Sequence, residues 1–230
     1  MKSDIIEVEG TIQLKDRKWY QLFMKGWCRH TDGLNKPRWI RFNYPTSITT
    51  MLIILFAATN TVAQQNITEE AKSFIIDNNM NTSFYILVDM SVNSGDYRMR
   101  VINFATGETM YKAQTAKGSG TSGLPEFSNI KDSHTTALGK YKISNRAWSN
   151  WGINIKYWLD GLETSNSNAR ERVIVLHGWD LIEDARSSST PQGWGCPAVS
   201  NNAMRFLDAK LKKEYIKDSS KRVLLWIYKS

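Results

Sequence analysis

The protein has 230 residues, of which 41% are hydrophobic and 11% aromatic, including nine tryptophans. This apolar content is sufficient for a packed core and excludes a wholly disordered chain. The net charge of +8 would suit nucleic-acid binding, but residues 1–50 hold much of it, with nine Lys and Arg residues against five acidic ones. The rest of the chain has no basic helix stripe and no nucleic-acid motif, so we expect no nucleic-acid partner.

An uncharged apolar segment, Met51–Ala58, follows Arg38 and Arg41 and precedes the small residues Thr61–Ala63. A basic flank, a short apolar run and small residues at a cleavage point are typical of a secretory signal peptide. The run is shorter than the roughly 20 apolar residues that a membrane-spanning helix needs. We therefore expect residues 47–63 to be a signal peptide and the protein to be exported, to the periplasm or cell envelope. The alternative is an uncleaved anchor, which would be the protein's contact with a membrane.

The position of this signal is unusual, because signal peptides begin near the N-terminus and this one follows 46 mainly polar residues. We expect residues 1–46 to be a polar leader that is not part of the natural protein; an unusually long cytoplasmic flank is the alternative. Cleavage near Ala63 would remove Cys28 and leave Cys196 as the one cysteine of the mature chain. An unpaired thiol in an oxidising compartment suggests catalysis, with an intermolecular disulfide or an inert buried cysteine as alternatives.

After the signal segment, a short helix is followed by many strand patterns. Thr68 followed by two acidic residues predicts a helix N-terminus, and we assign a short helical segment to residues 64–82. Continuous or alternating apolar runs predict strands at residues 84–90, 97–104, 110–111, 139–143, 153–159, 172–176 and 223–228.

Two further patterns complete the predicted fold. Residues 114–136 are rich in Gly, Ser and Thr and predict a loop. Ser200 predicts the N-cap of a helix whose apolar stripe is formed by Ala203, Phe206, Leu207 and Leu211. We therefore predict a mainly β (α+β) domain with two or three short helices over residues 83–230.

Two short motifs in this domain carry chemistry. His177-Gly178 follows a predicted buried strand, and Gly193–Ala198, which contains Cys196, precedes the predicted helix. A thiol attacks as the thiolate and needs a base, which is most often a histidine. Glycines before the cysteine allow a tight turn in which successive N–H groups converge and stabilise an oxyanion. A Cys–His pair for acyl transfer is one interpretation; a hydrogen-bonded structural histidine beside an ordinary glycine turn is the other.

Other site chemistries have less support. His134, His177 and Cys196 have no close spacing of the zinc type, so we expect neither a metal nor another cofactor. A Gly-x-Ser-x-Gly elbow for serine catalysis is missing from the sequence. Carboxylate pairs for glycoside hydrolysis remain open, although no pair stands out.

The two motifs resemble the L,D-transpeptidase catalytic domain, in the branch with Trp-Gly-Cys-Pro-Ala. The resemblance lies in the run NARERVIVLHG from Asn168 to Gly178 and the run GWGCPAV from Gly193 to Val199. Upstream runs contribute as well, at Phe127–Asn129, Leu138–Tyr141 and Leu159–Leu162. It covers roughly residues 83–228 and implies an L,D-transpeptidase-like β-sandwich.

The resemblance also implies roles for matching residues. Cys196 matches the nucleophile, His177 its base, and Gly178 the residue whose carbonyl orients that base. The amides of Trp194, Gly195 and Cys196 match the oxyanion hole. The implied partners are the stem peptides of peptidoglycan: the thiol attacks the carbonyl before a terminal D-Ala, D-Ala leaves, and an amine of another stem takes the acyl group in a 3→3 cross-link.

Two positions depart from the pattern, since Trp194 stands where most of the superfamily has His and Gly193 stands where Ser or Thr is expected. We consider Arg172 a candidate for binding a stem carboxylate, with a surface ion pair as the alternative. Two further functions remain open: an L,D-carboxypeptidase that uses water at the same site, and a non-catalytic wall-binding module.

Overall fold

The computed structural model describes residues 27–31, 37–41 and 65–230. The predicted signal peptide, 47–63, and most of the predicted leader, 1–46, lie outside the described residues. Within the leader, β1 (Trp27–Thr31) and β2 (Pro37–Arg41) pair antiparallel as a two-stranded sheet, which the sequence analysis did not predict. The two strands belong to one unit of the chain, and the residues from Ala63 to Ser230 form another, which is described below. None of the described helices is long and apolar enough to cross a membrane.

The second unit begins with helix α1 over residues 65–77 and then consists mainly of strands. In chain order these are β3 (Phe84–Asp89), β4 (Met99–Asn103), β5 (Thr109–Ala113), β6 (Lys117–Gly118), β7 (Gly139–Trp148), β8 (Ile155–Gly161), β9 (Val175–Gly178), β10 (Gln192–Gly193), β11 (Ala198–Val199) and, after helix α2 (Asn201–Lys217), β12 (Leu224–Tyr228). A short 3-10 helix, Thr164–Asn166, follows β8. The predicted mainly β class with two or three helices is confirmed.

Eight of these strands form one mixed sheet in the order β11-β9-β8-β7-β12-β3-β4-β5. The central strand β12 pairs parallel with β3 and antiparallel with β7, and at one edge β11 pairs parallel with β9. The remaining two, β6 and β10, form a separate two-stranded parallel sheet.

One helix packs on each face of the large sheet. Because side chains alternate along a strand, successive residues of β12 contribute to the two faces in turn. On β12, Leu225 and Ile227 belong to the core cluster under α2, whereas the alternate residues Leu224, Trp226 and Tyr228 belong to the cluster under α1. Ser200 caps α2 as predicted, since its Oγ accepts a hydrogen bond from the amide of Ala203 at 3.1 Å. Ala203, Leu207 and Leu211 are buried beneath it.

Helix α1 is attached to the sheet by a buried lysine. Lys140 on β7 lies opposite Trp226 on β12, and its ammonium is 4.1 Å from the centre of the indole ring. The same ammonium is 2.7 Å from a carboxylate oxygen of Glu70 on α1 and 3.1 Å from one of Glu163. Burial alone would lower the pKa of Lys140, but the hydrogen bonds to these carboxylates outweigh it and raise the pKa. The helix is therefore held by charge as well as by apolar packing.

Two boundary predictions were wrong. Thr68 is not the N-cap of α1, which already includes residue 65; Ile67 packs on the same core cluster as Ala71, so the apolar stripe begins before Thr68. The predicted strand 172–176 begins only at Val175. Val173 has φ of +56° and is half exposed, because hydrogen-bonded turns continue from the 3-10 helix up to Ile174.

Candidate active site

The parallel pair β9–β11 brings the two sequence motifs together. His177 on β9 lies opposite Ala198 on β11, and Cys196 is two residues before Ala198. The Cys196 thiol accepts a hydrogen bond from the Val175 amide at 3.4 Å, and its own proton is directed to the Val173 carbonyl oxygen at 3.6 Å. His177 and Cys196 both line one cleft of about 690 Å³, within the 300–1,000 Å³ usual for small-molecule sites.

His177 is held in one orientation by its neighbour. Its Nδ1 is 2.8 Å from the carbonyl oxygen of Gly178. A carbonyl can only accept, so Nδ1 carries the proton and Nε2 is left with its lone pair. Burial lowers the pKa of His177. The hydrogen bond to Gly178 raises it by less, and the positive charge of Lys156 lowers it further. The ring is therefore a neutral imidazole with a basic Nε2 at neutral pH.

Cys196 is a protonated thiol in the same conditions. Burial raises the pKa of its thiol, and this outweighs the Val175 amide, Arg172 and Lys156, each of which lowers it. A buried thiol with a raised pKa gains reactivity only when a base removes its proton during attack. His177 is the cleft histidine on β9, the strand that pairs with β11 just after Cys196. Its neutral imidazole is therefore the candidate for this base.

The backbone before the thiol adopts a conformation that glycine permits. Gly195 has φ of +103°, and a Cβ at this position would lie 2.4 Å from the carbonyl oxygen of Thr135. Among the described residues, no protein acceptor takes the amide protons of Trp194, Gly195 or Cys196. These donors therefore remain available to a group bound beside the sulfur.

Trp194 lines this cleft with an exposed side chain. Its side chain is 73% exposed and stacks on the imidazole of His134, with ring centres 4.8 Å apart and planes 13° from parallel. His134 comes from the Gly-, Ser- and Thr-rich segment 114–136, so that segment supplies a second imidazole to the cleft.

Arg172 holds the same segment in place. One guanidinium nitrogen donates to the Ser128 carbonyl at 2.8 Å, and the other donates to the Thr135 carbonyl at 2.6 Å. Burial lowers the pKa of Arg172. Arg172 lines the cleft, as a carboxylate-binding residue would, but its terminal nitrogens are engaged with the backbone of the loop.

Several cleft residues were not assigned to the site from the sequence, among them Lys156, Trp148 and Trp151, and His134 was considered there only as a metal ligand. Lys156 is one of the polar residues that alternate with apolar ones in β8. Trp148 is the last residue of β7, and Trp151 lies in the connection between β7 and β8. Strand alternation and turn position could have marked them as surface residues, but only the fold places them beside Cys196. A second depression of about 700 Å³, lined by Asp180, Arg205 and Asp208 among others, contains neither cysteine nor histidine.

Comparison with known proteins identifies the family of the part of the chain that contains this cleft. The sequence model of the L,D-transpeptidase catalytic domain matches residues 58–217. The chain belongs to this family. Its match includes the two motifs of the cleft, and the resemblance predicted from those motifs is confirmed. No curated protein matches the chain.

Two solved structures are similar to this family member at low identity. An L,D-transpeptidase from Xylanimonas cellulosilytica DSM 15894 is 15% identical, with a TM-score of 0.32, and the alignment covers 64% of this chain and 61% of that one. The helical cell shape determining protein Pgp2 from Campylobacter jejuni is 18% identical, with a TM-score of 0.38, covering 69% and 55%. The chain thus spans between half and two thirds of the length of these relatives.

The protonation states predict how Cys196 responds to pH. Because burial raises the pKa of the thiol, alkylation by iodoacetamide should increase with pH, with a midpoint above the value of about 8.5 for an unperturbed cysteine. The rate is measured at Cys196 by peptide mass spectrometry. The same peptide in urea should titrate at the ordinary value. A rate that is already at its plateau below pH 7 would indicate a thiolate–imidazolium pair instead.

The close contact at Gly195 predicts a large cost for a single methyl group. Gly195→Ala should lower the free energy of unfolding by about 3 kcal/mol, because both the positive φ and the Thr135 contact oppose it. Gly123→Ala is the matched control: Gly123 has φ of +82° with open space around it, so about 1 kcal/mol is expected. Equal losses in urea denaturation would contradict the role given to the Thr135 contact.

Proposed function

We propose that the chain is an exported peptidoglycan L,D-transpeptidase in which Cys196 forms a thioester with a tetrapeptide stem. The observation that carries the proposal is the Cys196–His177 cleft in a chain whose residues 58–217 match the family. The cleft combines a thiol, a neutral imidazole with its Nε2 lone pair available, and unpaired backbone amides beside the sulfur. These are the groups that acyl transfer through a thioester requires.

In the first half of the reaction, His177 acts as the base. Its Nε2 takes the thiol proton as the sulfur of Cys196 attacks the carbonyl carbon before the terminal D-Ala. The negative charge that develops on the carbonyl oxygen is stabilised by hydrogen bonds from the amides of Gly195 and Cys196, with the amide of Trp194 as a further donor. When the intermediate collapses, the C–N bond breaks and His177 returns the proton to the nitrogen of D-Ala.

In the second half, an amine of another stem attacks the thioester. His177 takes a proton from this amine, the new amide bond forms, and the C–S bond breaks. The sulfur leaves as a thiolate and regains its proton from the imidazolium. Gly178 contributes through its carbonyl, which keeps the proton on Nδ1 and stabilises the imidazolium that forms in each half. Water in place of the amine would give a carboxypeptidase.

Mass spectrometry of the 230-residue protein tests the chemistry. Incubation with a tetrapeptide stem should add the mass of the stem without D-Ala to the Cys196 peptide, and Cys196→Ala should lack this adduct and lose at least about 10⁴-fold in rate. Cys28→Ala is the control and should keep both. A cross-linked dimer indicates an amine acceptor, and a free tripeptide indicates water. An identical product pattern for wild type and Cys196→Ala would exclude the enzymatic function and favour a wall-binding module.

The proposed export depends on the signal-like segment ending at Thr61–Ala63. We expect the protein recovered from the periplasm or cell envelope to begin near residue 64, because small residues mark the predicted cleavage point. N-terminal sequencing of that fraction measures this directly. A mature protein that still contains Trp19 or Trp27 would contradict both the cleavage site and the assignment of residues 1–46 as a leader.

A further inference from the structure

Three cationic side chains line the cleft, and they differ in what neutralises them: Lys131, Lys156 and Arg172. The Lys131 ammonium is 3.1 Å from a carboxylate oxygen of Glu171. Arg172 donates to backbone carbonyls of the loop. Lys156 has no carboxylate at ion-pair distance within the described part of the chain; its ammonium lies 5.0 Å from the centre of the Trp158 ring. Of these three cations, Lys156 is the one that, within the described residues, neither forms an ion pair nor donates to a backbone carbonyl.

The strand register places this charge beside the reacting groups. Lys156 on β8 lies directly opposite His177 on β9, in an antiparallel pair. Opposite residues of such a pair project from the same face, with Cβ atoms about 4.5–5.5 Å apart. The charge of Lys156 affects both groups, although burial has the larger effect on each. It lowers the pKa of His177, as burial does, and it lowers the pKa of Cys196, which burial raises.

We propose that Lys156 is the carboxylate-binding group of the cleft and that it binds the C-terminal carboxylate of the donor peptide. The identity of that peptide rests on the proposed function. In a donor whose last residue leaves, the carboxylate is one residue beyond the attacked carbonyl, a span of roughly 3.5 Å. His177 must be near the nitrogen between these two groups to protonate it, and Lys156 is the neighbour of His177 on the next strand.

This arrangement selects a terminal residue over an internal one. An internal peptide bond would bring an uncharged amide to the Lys156 ammonium, which would lose water without gaining an ion pair. A C-terminal carboxylate would instead form a charge-assisted hydrogen bond in a partly buried cleft. Lys156 therefore acts on specificity, through where the donor binds, rather than as the base or the nucleophile.

Alkylation of Cys196 by two small reagents tests the carboxylate site without any peptidoglycan substrate. Iodoacetate and iodoacetamide both form a C–S bond as iodide leaves, but only iodoacetate has a carboxylate. Their rate ratio at Cys196, measured by peptide mass spectrometry, cancels changes in thiol pKa because both reagents need the same thiolate. We expect Lys156→Met to lower the iodoacetate-to-iodoacetamide ratio about three- to tenfold and Lys156→Arg to retain it.

Lys112→Met is the matched control, because it removes the same charge from an exposed position on β5, at the opposite edge of the large sheet from β11. Its ratio should equal that of the wild type. An unchanged ratio in Lys156→Met, or an equal fall in Lys112→Met, would overturn the proposal.

A comparison of two donor peptides then tests whether this carboxylate site affects turnover. Wild type should prefer a tetrapeptide with a free C-terminal carboxylate over the same peptide with a C-terminal carboxamide, by roughly tenfold in kcat/KM. Lys156→Met should lose most of this preference through KM. A preference that survives in Lys156→Met would overturn the proposal. Should wild type turn over neither peptide while the alkylation ratio still falls in Lys156→Met, the carboxylate site would stand and the transpeptidase function would be the part that failed.

Discussion

The arrangement of the site depends on one backbone constraint, the parallel pairing of β9 with β11. It fixes His177 opposite Ala198 and thereby places this histidine beside the segment that carries Cys196, nineteen residues further along the chain. The pairing is supported on both sides: the Trp179 amide donates to the Val199 carbonyl at 2.8 Å, and the Ala116 amide donates to the Ala198 carbonyl at 2.8 Å. Backbone hydrogen bonds on both edges leave β11 little freedom, so the thiol is positioned before any substrate arrives.

Burial then sets the chemical state of the pair. Desolvation disfavours the charged form of each group, so it raises the pKa of Cys196 and lowers that of His177. Both groups are therefore neutral at neutral pH, and in the proposed reaction charge would develop only as the proton moves during attack. Within the described residues the amides around Gly195 have no protein acceptor, so in the proposed reaction they would donate to that developing charge, and the Lys156 ammonium would bind an anionic substrate. A neutral pair surrounded by donors is suited to a substrate that brings its own carboxylate.

The segment 114–136 is part of the site rather than a separate loop. Arg172 binds its carbonyls, Gly195 packs against Thr135, and Trp194 stacks on His134. Its short strand β6 pairs with β10, directly before the Gly-Trp-Gly-Cys motif. The loop therefore packs against the segment that carries Cys196, and the Arg172 guanidinium, a candidate from the sequence for binding a substrate carboxylate, donates to the backbone of this loop.

The sequence by itself determined the features that local patterns encode: the apolar runs of β3, β8 and β12, the Ser200 cap, the mainly β class, and the family, through motifs whose spacing is specific. Tertiary structure decided the features that depend on neighbours distant in the chain. The turn geometry around Val173 interrupted an apolar run that a local pattern assigned to a strand, and Ile67 extended α1 because a core cluster was there to bury it. That Lys156 forms no ion pair within the described residues likewise depends on the tertiary structure, since only the folded chain shows that Glu171 pairs with Lys131 and that Arg172 donates to the Ser128 carbonyl.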